Sequence, residues 1–439
     1  MSSKKKTSGT KSESASALVP KLRFPEFRNG PDWRVKKLNE LLFETKTRNR
    51  SLELGPADVL SVSGEHGCVN QIEYMGRSYA GVTVKDYHVV EHGDLVYTKS
   101  PLKKNPFGII KENKGKRGIV STLYAVYRPF LDCSATYLDH FFSRDYNLNA
   151  YLQPIVKKGA KNDMKVNNAD VLKGNICVPA LPEQQKIASC LSSLDNLISS
   201  QARKVELLKK YKKGLLQQLF PREGETEPRL RFPEFRGTGA WENLALGERA
   251  DILTGFPFDG VDISQDKNGV RLLRGINIAE GRIRHNADID RYYTGSTIGL
   301  EKFRLRTNDL VIGMDGSKVG KNSALISESE SESLLVQRVA RLRAKPNALI
   351  RFIFHRIHAP TFHAYVDRVN TSSGIPHISA KQIQEYRISF PAEAEQKRIA
   401  DLLGFIDDGV AAHERKLETL KTHKKGLMQG LFPVAEGVV

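Results

Sequence analysis

What this chain lacks narrows its function before any motif is read. No apolar run approaches the roughly 18–20 residues of a membrane span, and the polar N-terminus has no signal-peptide apolar core. No membrane partner is expected, and the cytoplasm is the expected location. Cysteine is scarce: Cys68, Cys133, Cys177 and Cys190 form no CxxC pair. That argues against a zinc site and against a disulfide framework, and for reduced thiols.

Catalytic constellations are missing too. The histidines are scattered without an HExxH, and no nuclease carboxylate cluster stands out. Asn105-Pro106-Phe107 falls one proline short of an adenine-methyltransferase tetrad, and no glycine-rich cofactor loop accompanies it. The stretch GSKVGKNS at 316–323 is one residue short between its glycines for a phosphate-binding loop. Asn322 also stands where Ser or Thr should bind magnesium. The expectation is a chain with no catalytic residue, metal or cofactor of its own: a reader rather than a catalyst.

What is present is positive charge. Across 439 residues the formal net charge is +18, which points to a polyanionic partner. The basic residues are spread through segments that look folded, and no single amphipathic helix collects them. Nucleic acid is therefore favoured over a membrane surface.

The chain is also written twice. KLRFPEFRNGPDW begins at Lys21 and RLRFPEFRGTGAW at Arg229, an offset of 208. PEQQKIASCLSSLDNLISSQARKVELLKKYKKGLLQQLFP spans 182–221, and a matching stretch spans 394–433, offset by 212. Each reads as one long helix, with Pro or acidic residues at its start and no internal Pro. Its apolar residues repeat every seven positions. In the first copy they are Ile187, Leu191, Leu194, Ile198, Val205, Leu208, Leu215 and Leu219. In the second they are Ile399, Leu403, Ile406, Val410, Leu417, Leu420, Leu427 and Leu431. Gln201 and His413 are polar interruptions at one track, Lys212 and Lys424 at the other. At a 1.5 Å rise per residue, two such helices, each about 50 Å long, could pair into a stiff rod. Gly214 and Gly426 interrupt them at equivalent places, each at a cost of about 1 kcal/mol relative to Ala. Close approach by another helix would offset that cost, so docking is expected there.

Between the repeated frames the two copies diverge but keep a common skeleton. HGDLVYTKS (92–100) and TNDLVIGMD (307–315) read as strands entered through polar turns. Residues 118–129 and 333–344 read as β-rich runs, and 138–152 and 349–366 as helical. Residues 164–182 and 376–394 read as a short helix, a strand, then Pro leading into the long helix.

The positive signals for binding are basic loops. KSPLKKNPFGIIKENKGKR (99–117) holds seven Lys or Arg against one Glu. The candidates there are Lys99, Lys103, Lys104, Asn105, Lys116 and Arg117. KKGAKNDMK (157–165) adds Lys157, Lys158, Lys161 and Lys165. In the second copy the candidates are Arg274, Asn277, Lys318, Lys321, Asn370, Ser372, Ser373 and His377. Lys and Arg on loops neutralise phosphates, while Arg, Asn, Ser and His can address base edges.

This plan resembles the specificity subunit of type I restriction–modification systems. The resemblance rests on the duplicated RFPEF…W openings, on PEQQKIA and AEQKRIA, and on the helix ends KKGLLQQLFP and KKGLMQGLFP. It implies an α+β fold: two mixed, β-rich target-recognition domains separated by two long antiparallel coiled-coil helices, with an internal pseudo-twofold repeat. Expected boundaries are a disordered tail at 1–19, a first recognition domain at 20–181 and a long helix at 182–221. A linker at 222–229, a second recognition domain at 230–392, a second long helix at 393–433 and a short tail at 434–439 complete the plan. The family relation implies a prokaryotic, cytoplasmic DNA reader of a bipartite site on double-stranded DNA. Two methyltransferase (modification) subunits and the restriction/translocase subunits would be its partners, and those partners would carry S-adenosylmethionine, ATP and magnesium. The alternatives are the specificity arm of a smaller methylation or restriction system and a non-catalytic coiled-coil adaptor.

Overall fold

The computed structural model describes residues 19–81, 83–100, 102–158, 164–370 and 376–433. All but one residue of the expected N-terminal tail, and the whole of the expected C-terminal tail, lie outside them. The described residues divide into two compact units: those up to 201 together with those from 416, and those within 202–415. Each long helix thus contributes one part to each unit.

In the first unit the central element is a four-stranded antiparallel sheet. Its order is Leu42–Glu44, Tyr124–Pro129, Leu95–Thr98 and Ile109–Glu112. The strand Leu95–Thr98 is buried on both faces. Leu95 and Tyr97 enter the main core, and Val96 enters a smaller core with Leu60, Val90, Val120 and Val126. That is the period-two alternation of a strand covered on both sides. The turn to the next strand needs Gly108: its φ is +95°, and a Cβ there would lie 2.0 Å from the Thr98 carbonyl oxygen.

The second unit repeats this sheet in the order Ala250–Thr254, Val339–Ala344, Leu310–Gly313 and Ser323–Leu325. Leu310 and Ile312 enter one core and Val311 another. The run expected as helical at 138–152 is two helices, Ala135–Phe142 and Asp145–Leu152. Its counterpart is also two, Ile350–Ile357 and Pro360–Val369, with Pro360 opening the second. The copies differ most in their small sheets. The second unit builds a four-stranded one from Ile263–Ser264, Arg291–Tyr293, Val270–Leu273 and Leu334–Leu335. The first has two separate pairs, Leu60–Ser63 with Gly67–Asn70 and His88–Val90 with Gly118–Val120.

The long helices run Leu181–Gln218 and Glu393–Leu431. In the first unit Ile187 and Leu191 share a core with Met428 and Leu431. In the second, Leu215 and Leu219 share one with Ile399, Leu403 and Ile406. Within each unit the N-terminal part of one helix therefore meets the C-terminal part of the other, which is antiparallel pairing. None of the seam residues is exposed. No helix among the described residues is long and apolar enough to cross a membrane.

The repeated sequence motifs are the clamps of this frame. Arg23 donates through Nε and Nη2 to the two carboxylate oxygens of Glu183 at 2.8 and 2.7 Å, and Trp33 Nε1 donates to the same group. Arg231 makes the same bidentate pair with Glu395, both bonds at 2.9 Å. A planar guanidinium fork matches a carboxylate in this way, and Lys could not. Gln184 accepts from the Ser134 N–H and donates to the Pro179 carbonyl; Gln396 does the same with Leu349 and Pro391. At the helix ends, Phe432 packs on Tyr137 and Phe141, while Phe220 packs on Trp241 and Phe352. Burying each ring stabilises by roughly 2–3 kcal/mol. Leu22 N–H donates to the Gly430 carbonyl, and Leu230 N–H to that of Gln218, so each RFPEF segment is stitched to a helix end.

Candidate nucleic-acid interface

In both units the strand at the centre of the sheet runs out into a loop that carries the candidate cations. In the first unit this is the segment after Thr98; in the second it is the turn after Gly313. A second candidate segment follows the paired helices in each unit. In the second unit the two segments lie side by side: Gly316 N–H donates to the Pro376 carbonyl at 3.0 Å, and Ile378 N–H to that of Met314 at 2.9 Å. Lys318 is exposed in this turn and Lys321 half-buried, and the His377 ring is bonded to Asp315 through Nδ1. Asn370 accepts from the His377 N–H at 3.4 Å. The structure thus gathers Lys318, Lys321, Asn370 and His377 at one place.

Lys103, Lys104 and Lys116 are exposed in the first unit, and Lys99 is half-buried. The backbone of Lys157–Lys158 pairs with Met164–Lys165 as a short antiparallel hairpin. Lys161, Ser372 and Ser373 lie outside the described residues.

Three candidates have partners of their own within the fold. Asn105, 7% exposed, donates its side-chain amide to Asp145 and closes the turn with Leu102 and Gly108. Asn277, 1% exposed, donates to Asp290 and to the Arg284 carbonyl. Arg117 is held by Glu91 at 2.9 Å and Glu53 at 3.3 Å, and its hydrogen bonds to these acids raise its pKa further. Arg274 is half-buried: burial first, then the neighbouring Arg291, push its pKa down, and its Nη2 donates to the Ile289 carbonyl. Asn277 leads into the hairpin Ile278–Ala279/Arg282–Ile283, whose Gly281 N–H donates to the Ser323 carbonyl. That hairpin flanks the strand that follows Lys321.

Two features give no sign of themselves in the sequence. Arg338 lies inside a run that reads as plain strand, yet its backbone has φ +71° and its exposed side chain reaches Asp315 at 3.1 Å. In the first unit a cleft of about 130 Å³ is lined by Gln71, Tyr79, Tyr87, Ser100 and Tyr124, with Arg77 stacked 4.6 Å from the Tyr79 ring centroid. Ser100 adjoins Lys99. Aromatic faces beside basic loops suit nucleic acid, but tyrosines this far apart in sequence carry no readable spacing. Among the described residues, no group of His, Cys, Asp or Glu could hold a metal ion.

The helix pair presents its own surface. Leu207, Tyr211 and Phe405 are 55%, 59% and 77% exposed in the second unit. A Cβ on Gly214, Gly404, Gly409 or Gly426 would meet nothing within 4 Å. The described chain brings no helix to either of the repeated glycines.

Comparison with known proteins agrees with this geometry. The family model for the type I restriction modification DNA specificity domain matches residues 90–210 and 270–422. The type I restriction enzyme MjaVIII specificity subunit of Methanocaldococcus jannaschii is 26% identical over 265 residues, covering 58% of this chain and 61% of that protein. The EcoAI specificity subunit of Escherichia coli is 31% identical over 199 residues, 45% of this chain and 32% of its own length. The chain thus spans less than two thirds of these relatives. The crystal structure of a type I restriction–modification S subunit from M. genitalium matches in fold with a TM-score of 0.61 at 12% identity, covering 95% of this chain and 99% of that one. With the family domain present twice on a duplicated frame, the chain belongs to the type I restriction–modification DNA specificity family.

Proposed function

We propose that this chain is the DNA-reading subunit of a type I restriction–modification complex, each unit reading one half of a bipartite, asymmetric site on double-stranded DNA. The observation that carries this reading is the contrast within the repeat. The same strand of the same sheet leads into a basic loop in both copies, while the loop sequences, 99–108 and 314–322, have little in common. One frame with two dissimilar loops is what two different half-sites require. Lysines on such loops contribute affinity through phosphate, and the remaining polar groups contribute selectivity.

The exposed Leu207, Tyr211 and Phe405, beside bare backbone at Gly214 and Gly409, form the face on which methyltransferase subunits dock through helices of their own. Aromatic and aliphatic side chains left in water on a helix pair suit an interface core. Two methyltransferase subunits and the restriction/translocase subunits complete the assembly in the prokaryotic cytoplasm. S-adenosylmethionine, ATP and magnesium bind those partners, and chemistry takes place on them. The test is to sequence the methylome of the host with and without the gene. Loss of one bipartite adenine-methylated motif on deletion supports the reading; an unchanged methylome overturns it.

A further inference from the structure

One carboxylate stands among the cations of the second unit. Asp315 Oδ1 accepts from Nδ1 of His377, and Asp315 Oδ2 accepts from Nη1 of Arg338 at 3.1 Å. Three separate segments of chain meet here and are pinned through their backbones. Met314 N–H donates to the Arg338 carbonyl at 2.9 Å, and Ile378 N–H to the Met314 carbonyl at 2.9 Å. Arg338 is held at φ +71°, a left-handed conformation that a residue with a side chain rarely adopts. Its side chain is nevertheless 63% exposed, and that of His377 is 40% exposed.

Three roles can be weighed for this group. As a stabilising ion pair it achieves little, because exposed pairs contribute little and none needs a left-handed backbone. As a phosphate contact it is poorly built, because Asp315 repels the same anion that the two cations would attract. As a reader of base edges it is well built, because that task demands a fixed direction more than net charge. Asp315 occupies Nη1 and so leaves the Nε and Nη2 edge of Arg338 to span O6 and N7 of a guanine. Asp315 likewise takes the Nδ1 side of His377, so Nε2 is the ring nitrogen left for a base.

We propose that Arg338, oriented by Asp315, reads a guanine in the major groove of the half-site addressed by the second unit, with His377 on an adjacent base. Asp315 is a positioning residue. The proposal rests on the DNA-reading assignment above and adds the base and the residue to it.

The test is methylome sequencing of cells carrying the complete complex with Arg338→Ala, Arg338→Lys, Asp315→Asn or Lys318→Ala. Arg338→Ala and Arg338→Lys should each make one guanine position of one half-site degenerate, with discrimination there falling roughly 10-fold or more. Arg338→Lys keeps the charge and the fold but lacks the fork. Asp315→Asn should loosen the same position, whereas Lys318→Ala should lower methylation at all sites and leave the motif intact. An unchanged motif in both Arg338 variants, at whatever overall level, overturns the proposal. A wild-type complex that shows no bipartite motif defeats the DNA-reading assignment itself, and the proposal with it.

Discussion

Lys212 and Asp407 lie on different long helices and meet at 2.5 Å, and Lys424 meets Asp195 at the same distance. Both pairs of residue numbers add to 619, so a single antiparallel register satisfies the two of them. Behind each carboxylate stands a buried histidine at 3.9 Å, His355 in one unit and His140 in the other. Sliding one helix by seven residues would keep the apolar seam. It would, however, place Ala400 or Glu414 opposite Lys212, and Ala188 or Ala202 opposite Lys424. The lysines that interrupt the heptad thus select the register, as polar seam positions do in coiled coils.

Removing one partner should therefore cost more than removing both. Asp407→Ala should lower stability by about 2 kcal/mol, a figure below that for fully buried pairs because Lys212 keeps some contact with water. Lys212→Met combined with Asp407→Ala should recover most of that loss. Urea unfolding of the four variants as a double-mutant cycle measures the coupling. Equal losses in the single and double variants would remove the pair from the account.

The arginine clamps should be less forgiving. Arg231 and Glu395 side chains are 7% and 2% exposed, so Glu395→Ala strands a guanidinium in the interior. A loss of about 3–5 kcal/mol is expected, and Arg231→Lys should fail to restore the bidentate geometry. Thermal unfolding of both variants checks this, with the exposed pair Glu234–Arg398 as the near-silent control.

Acid should weaken the fold well above the ordinary carboxylate range. Burial pushes the His140 imidazole down to about 4, and burial together with nearby Arg48 does the same to His88. Between pH 6.5 and 4 the unfolded chain binds protons that these folded histidines refuse, so stability should fall as pH drops through that window. Above pH 6.5 this contribution is fully present. Urea midpoints measured across the window test it, and His140→Phe should flatten the curve.

Assembly should depend on the uncovered helix face. Leu207 and Phe405 lie off the heptad seam and are mostly exposed, so Leu207→Glu or Phe405→Glu should leave the melting temperature nearly unchanged. Each should lower co-purification of the methyltransferase subunits at least roughly 10-fold, as charge placed in an interface core does. Intact co-purification in both variants would move the docking site elsewhere.

The frame is legible in the sequence because its signals are local and written twice. A seven-residue period, a matching motif and a strand pattern can each be read within a few dozen residues. Ile187 and Ile399 mark the same helix position in the two copies, so each copy supports the reading of the other. The candidate site is less legible because its chemistry is set by distant partners. Asn105 reads as a loop contact, but Asp145 accepts from its amide; Arg117 reads as a free cation, but Glu53 and Glu91 flank it. Arg338 is invisible for the opposite reason: only the fold turns its backbone and brings Asp315 to it.

The central claim is that two units with one frame read two different half-sites independently. Its most direct measurement is the methylome of cells in which residues 34–178 are replaced by the corresponding segment of another family member. The account predicts that one half of the methylated motif changes and the other half stays as it was. A change in both halves, or in neither, would contradict it.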